Sequence, residues 1–140
     1  MHVKPYLYFN GRTDEALKFY RQALGAEVLF SMRFGDSPDK SSIRPGTEDK
    51  IMHATFRIGD SEIMASDGIC DENVPATFAG ISLTVYAANI DHAEQLFAAL
   101  GDGGHVQMPM TETFFSPRFG MVADRFGVSW MVLVEQPPEG

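Results

Sequence analysis

The sequence predicts an α+β fold built from two repeated units, each a strand, a helix and three further strands. Three observations carry that expectation. Two stretches set apolar residues along one helical stripe, Ala16, Leu17, Tyr20, Ala23 and Leu24 in the first and Ala93, Leu96, Phe97 and Leu100 in the second. Several shorter stretches alternate apolar and polar residues with the period of a half-buried strand. The halves also match at a shift of 77 residues through the helices: Asp14 falls on Asp91, Ala16 on Ala93, and Phe19-Tyr20 on Leu96-Phe97. One inserted residue then brings Gly25-Ala-Glu-Val onto Gly103-Gly-His-Val, and an internal repeat of this kind is a fold-level signal.

Val3 to Phe9 reads as a strand that Pro5 confines to an edge. Asn10-Gly11 marks a turn, Thr13 offers an N-cap oxygen, and Asp14 and Glu15 suit the positive end of the helix that follows. Gly25 is the expected left-handed stop. Ala26 to Phe34 is a second strand with Val28, Phe30 and Met32 on one side. Gly35 to Asp49 is a polar loop placed to act either as a lid or as a surface excursion. Lys50 to Ile58 and Glu62 to Ser66 form a hairpin turning at Gly59-Asp60. A polar linker follows, and then the order restarts. Ile81 to Tyr86 is a strand, Asn89 an N-cap, and Gly101 to Gly104 the end of the second helix. His105 to Met110 is a strand that Pro109 limits to an edge. The closing hairpin turns at Asp124-Arg125-Phe126-Gly127, with Gly127 at positive φ. The expectation is a single domain over 1–140, made of modules at about 1–67 and 78–136 joined by a linker at 68–77.

Composition narrows the function. A formal net charge of −8 and scattered arginines argue against a nucleic-acid partner, because phosphate neutralisation needs clustered cations. No apolar run approaches the length of a membrane span, and the amino end lacks the pattern of a signal peptide. The one cysteine, Cys70, excludes an intramolecular disulfide and suits a reducing cytoplasm, where the sequence places the protein. Cys70 lies among acidic residues that should raise its pKa and blunt its reactivity. No Gly-x-Ser-x-Gly elbow or Cys–His pairing is present.

The motifs Pro5-Tyr-Leu-Tyr-Phe-Asn-Gly, Ala16-Leu-Lys-Phe-Tyr, Leu24-Gly-Ala-Glu, Lys50-Ile-Met-His-Ala, Asp124-Arg-Phe-Gly and Ser129-Trp-Met resemble the PhnB-like branch of the vicinal-oxygen-chelate superfamily. Glyoxalase I, extradiol dioxygenases and bleomycin-resistance-type proteins belong to that superfamily. The resemblance runs from Val3 to Glu135. It implies two βαβββ modules forming a curled, partly open mixed barrel with the helices outside, often completed in a homodimer. Members of the branch often carry a 3-demethylubiquinone 3-methyltransferase label, which these residues do not support. Methyl transfer from S-adenosylmethionine usually calls for a Gly-rich turn after a strand and an acidic residue beyond it, and that arrangement is missing.

The resemblance also implies four metal-ligand positions, and these fall on or beside Lys4, Met64, Gly80 and Met131. A cation, a glycine and two thioethers are poor ligands for Zn, Mg, Mn or Ni, so no metal and no other cofactor is expected. The four histidines are widely spaced. His92 reads as a surface residue and His105 as half-exposed. His53 is either a satisfied core or edge histidine or a cavity-lining acid/base, since it alternates with Ile51 and Thr55 opposite Met52, Ala54 and Phe56. Asp67 and Glu112 have no partner at fixed spacing. The expected ligand pocket comprises Tyr6, Tyr8, His53, Met64, Phe115, Arg118, Trp130 and Met131, with Tyr6, His53 and the Trp130 N–H as its polar points. Arg118 either presents a fork to an anionic ligand or is an exposed hairpin charge.

The favoured reading is a small-molecule-binding protein without a catalytic metal, acting as a homodimer on a small organic ligand. One rival is a metal-dependent lyase, isomerase or dioxygenase-like enzyme with a non-standard site or His53 as acid/base. The other is an interaction protein whose pocket is vestigial. Fold alone does not choose among them.

Overall fold

The computed structural model describes residues 1–41, 43–71 and 73–135. Two compact units divide the chain, Met1–Ala76 and the part from Thr77 onward. In the first, β1 (Tyr6–Tyr8), α1 (Thr13–Leu24), β2 (Glu27–Arg33), β3 (Ile51–Ile58) and β4 (Ser61–Ser66) succeed one another, with a 3-10 turn at Phe34–Asp36. In the second, β5 (Ser82–Ala87), α2 (Ile90–Gly101), β6 (His105–Thr111), β7 (Phe119–Ala123) and β8 (Ser129–Val134) repeat the order. Each unit forms its own mixed four-stranded sheet, ordered β1-β4-β3-β2 and β5-β8-β7-β6, and neither sheet closes on itself. In both, the first strand runs parallel to the last and the other pairs are antiparallel. β1, which Pro5 immediately precedes, and β6, which contains Pro109, lie at sheet edges, where a missing N–H costs no ladder bond.

The helices start and stop for local reasons. Gly25 takes φ 68° and its N–H returns to the Arg21 carbonyl, as a left-handed stop requires. Asn89 caps α2 by accepting the His92 N–H. Thr13 departs from expectation. It sits inside the first turn after Arg12, and no side chain of the local segment caps the helix. The cap comes instead from the end of β4. Asp67 Oδ1 accepts the Gly11 N–H at 2.8 Å, the Thr13 N–H at 2.9 Å and the Thr13 hydroxyl at 2.6 Å. Its Oδ2 accepts the Ile51 N–H at 2.8 Å. One buried carboxylate therefore ties β4, α1 and the start of β3 together.

Below α1 the first core holds Leu7, Phe9, Ala16, Tyr20, Ala54, Phe56, Ile63 and Ala65, all buried. The Tyr20 and Phe56 rings stack with centroids 5.9 Å apart. Below α2 the second core holds Leu96, Leu100, Val122, Trp130 and Val132. Its hairpin turn is held by Asp124, whose Oδ1 accepts the Phe126 and Val128 N–H groups and whose Oδ2 accepts the Trp130 indole N–H at 2.9 Å. Gly127 follows at φ 91°.

Strict alternation along β2 does not hold. Val28 pairs with Phe56 and Phe30 with Thr55, so Leu29 is an extra residue, a bulge. Val28 thus stays on the helix side while Phe30 and Met32 turn to the opposite face. A second irregularity leaves Met52 unpaired, which is why Ile51 is buried although it stands two residues from His53. The second unit repeats the first bulge: Val106 pairs with Val122 and Met108 with Met121, leaving Gln107 over. No helix among the described residues is long and apolar enough to cross a membrane.

Candidate functional site

Because Phe56 turns toward α1, its neighbours Thr55 and His53 project from the other face of the first sheet, which no helix of that unit covers. Register sets Tyr6, Met64, Thr55 and Phe30 in one row across the four strands. Tyr8 lies next to Tyr6 on the same face, and their rings stack with centroids 4.9 Å apart. The Tyr6 hydroxyl and His53 Nδ1 are 2.8 Å apart, and His53 Nε2 lies 3.2 Å from Thr55 Oγ1. A neutral ring protonated at Nε2 satisfies both bonds, accepting from Tyr6 and donating to Thr55. The Phe30 ring closes the other side of His53, at 6.1 Å. Tyr8 and Phe30 are 56% and 50% exposed, so the face is apolar yet open.

Burial, reinforced by the neighbouring Tyr8 and opposed by Ser66, raises the Tyr6 pKa above its ordinary value. Tyr6 therefore remains a phenol, a hydrogen-bond donor, at any physiological pH. The arrangement is an aromatic platform crossed by a hydroxyl–imidazole–hydroxyl chain. It can stack a flat organic molecule, bond a carbonyl or hydroxyl on it, and pass a proton along the chain.

The corresponding face of the second sheet has different chemistry. Thr84, Met131, Met121 and Met108 form its central row, beside Tyr86, Leu133 and Phe119. Thr84 Oγ1 lies 3.7 Å from the Met131 sulfur. Phe119 occupies the place that His53 holds in the first sheet. This face offers deformable thioethers and no titratable group in that row.

The remaining candidates have other placements. Trp130 is 2% exposed and its N–H is committed to Asp124, which makes it part of the turn and the α2-side core. Arg118 Nε pairs with Glu94 Oε1 at 2.8 Å, joining the segment before β7 to α2. Phe115 lies in the 112–118 loop, edge-on to Phe114 and Phe119. Asp67 is a structural clip. Cys70 has a raised pKa, but burial is the larger cause and the Asp67 charge the next. Phe30 and Thr55 were not among the sequence candidates. Thr55 shares strand parity with His53 and could have been found from it, whereas Phe30 depends on a bulge.

A family model described as 3-demethylubiquinone-9 3-methyltransferase matches residues 1–133. The chain belongs to this PhnB-like family. It is 34% identical to protein YjdN of Escherichia coli over 147 residues, covering 99% of each chain. Protein PA1353 of Pseudomonas aeruginosa has a similar crystal structure, with TM-score 0.84 and 42% identity over 98% of this chain and 99% of that one. A PhnB protein of Bacillus cereus gives TM-score 0.77 at 27% identity, covering 96% and 99%.

Two kinds of chemistry associated with PhnB-like proteins and their superfamily can be tested against these residues. Among the described residues, no three His, Cys, Asp or Glu side chains gather as a metal-binding group. Lys4 is engaged with Glu62 at 3.5 Å, and Gly80 lies in a turn ahead of β5 at φ 79°. Register places Tyr6 opposite Met64 and Thr84 opposite Met131, so the facing pairs are phenol–thioether and hydroxyl–thioether. That donor set does not fit a hard divalent ion. For methyl transfer, the β1–α1 turn contains one glycine, and its Gly11 and Thr13 N–H groups already serve Asp67. The β5–α2 turn, Ala88-Asn89, has no glycine. Neither turn suits the carboxylate and ribose of S-adenosylmethionine.

Proposed function

We propose that this PhnB-like protein binds a small, flat organic molecule on the open face of its first sheet and does so without the metal of its catalytic relatives. The Tyr6–His53–Thr55 chain beside the Tyr6–Tyr8 stack carries this reading: its apolar, half-open surface has a few converging polar groups, as small-ligand sites do. The Met-rich face of the second sheet is a second apolar surface of the same protein, able to repack around differing shapes. The apolar exposure of both faces also supports a homodimer, in which part of that area is covered.

A thermal-shift screen of aromatic and carbonyl-bearing metabolites tests the binding reading. A ligand present at 100 times its dissociation constant adds about 2.7 kcal/mol of stability, a shift of several degrees for a protein this size. Tyr6→Phe and His53→Ala should each weaken that ligand roughly 10-fold. No stabilisation by any compound at millimolar concentration would sink the proposal. The enzyme reading is separated by metal analysis of protein purified without chelator: stoichiometric divalent metal that disappears in His53→Ala would favour it. Sedimentation at micromolar concentration decides the dimer, which a monomer would overturn.

A further inference from the structure

A second concavity in the first unit lies away from the sheet face and shares no residue with it. Three loops build it: the turn before α1 (Gly11 and Arg12), the segment before β3 (Arg44 and Lys50) and the segment after β4 (Cys70 and Asp71). Its volume of about 580 Å³ lies within the range of small-molecule sites. Charge is what distinguishes it. Among the described lining residues there are three cations, Arg12, Arg44 and Lys50, against one carboxylate, Asp71, in a chain whose net charge is −8.

Lys50 is the informative member. It is half-buried, and its ammonium is held by the Gly11 carbonyl oxygen at 3.0 Å. Among the described residues no carboxylate forms an ion pair with it. Arg44 is exposed at the mouth of the cleft. It donates to the Ile69 carbonyl at 3.3 Å and stands 3.7 Å from the Asp71 carboxylate, a loose pair. Arg12 is more fully engaged, with Glu15 at 2.9 Å. A half-buried charge is normally matched by an opposite one, and among the described residues the Lys50 ammonium meets a carbonyl oxygen and no carboxylate, which leaves it available to an anion from solution. The fields of Lys50 and Arg44 also reach the Cys70 sulfur on the same wall, where both oppose the rise in its pKa.

We propose that this cleft is a binding site for a small organic anion, with Lys50 and Arg44 meeting its phosphate or carboxylate group and Arg12 adding to the field. Cys70 stands at the wall as a bystander, since burial and Asp67 keep it in the thiol form.

The test uses the whole chain at low salt, with inorganic phosphate, glycerol 3-phosphate and succinate as probes in calorimetric titration. At least one organic anion should bind saturably at one per chain and more tightly than inorganic phosphate, with the preference between the two organic probes assigning the head group. Binding should weaken roughly 10-fold or more in Lys50→Met and in Arg44→Gln, and should fall with added salt. It should also slow alkylation of Cys70, the sole cysteine. Arg44 is exposed, so Arg44→Gln keeps the test open if Lys50→Met fails to fold. Absence of saturable binding by either organic probe overturns the proposal. So does binding that both variants retain, and so does inorganic phosphate binding as well as the organic anions, which would mean an ion trap only. Tyr6→Phe should leave this binding unchanged, which separates failure here from failure of the sheet-face reading.

Discussion

Two buried aspartates show how far a single side chain sets local structure. Asp67 accepts four hydrogen bonds from two segments, the start of α1 with its turn and the start of β3, and Asp124 accepts the Phe126 and Val128 N–H groups of its turn and the Trp130 indole N–H. Removing such an acceptor leaves buried donors unpaired, which costs more than the net worth of the bonds. Asp67→Ala should lower stability by roughly 3 to 5 kcal/mol in urea unfolding. Asp124→Ala should cost less and shift the emission of the only tryptophan to the red, because its indole N–H loses its partner. Titration provides another residue-scale prediction. Tyr6 and Cys70 are acids whose pKa values are raised in the fold. The neutral forms favour folding, so that contribution is intact below the unfolded-state values and is lost as pH climbs through the folded ones. The urea midpoint should therefore hold steady to about pH 8.5 and decline above it, Cys70→Ser removing the earlier part of the fall and Tyr6→Phe the later. A midpoint that rises above pH 9 would contradict both assignments. Asp67 was legible in the sequence only as an acid at a strand end. Its partners lie 16 to 56 positions away, and no local pattern encodes that distance.

Elements were more legible than residues because their signals are local. The stripes of α1 and α2, the Gly25 stop, the Asn89 cap and the Gly59-Asp60 and Asp124–Gly127 turns all follow from chemistry within a few positions. The bulges at Leu29 and Gln107 were not legible, since an extra residue in one strand is defined only against its partner. They matter for the site: without the first, Phe30 would not share a face with His53. Glycines in turns separate two costs that sequence alone runs together. A Cβ at Gly104 would collide with the Ala123 carbonyl oxygen and lie 2.8 Å from the Asp124 carbonyl carbon, both backbone atoms that cannot step aside. At Gly25 it would meet nothing within 4 Å, and only the positive φ resists it. Gly104→Ala should therefore cost about 3 kcal/mol, against about 1 kcal/mol for Gly25→Ala. Equal losses in thermal unfolding would mean that the start of β6 can move away from the end of β7.

At the scale of the whole chain, the repeat is one architecture with its chemistry divided unequally. Both units keep the same strand order, the same parallel first-to-last pairing and the same bulge, yet His53 in one stands where Phe119 stands in the other. The hydroxyl–imidazole–hydroxyl chain lies on the open face of the first sheet, while the corresponding face of the second presents mainly thioethers and apolar side chains. Each unit also has its own core, and this has an energetic consequence. Ile51→Val should cost about 1 kcal/mol and Leu100→Ala about 3 kcal/mol. As the two belong to different cores, the double variant should lose the sum to within about 0.5 kcal/mol. A pair inside one core behaves otherwise. Tyr20 and Phe56 stack directly, so Tyr20→Leu combined with Phe56→Leu should miss additivity by at least about 0.5 kcal/mol, the first substitution having already removed the contact that the second would break. Strong coupling between Ile51 and Leu100 would instead show that packing in one unit is set by packing in the other, and the two faces would then have to be treated as a single energetic unit.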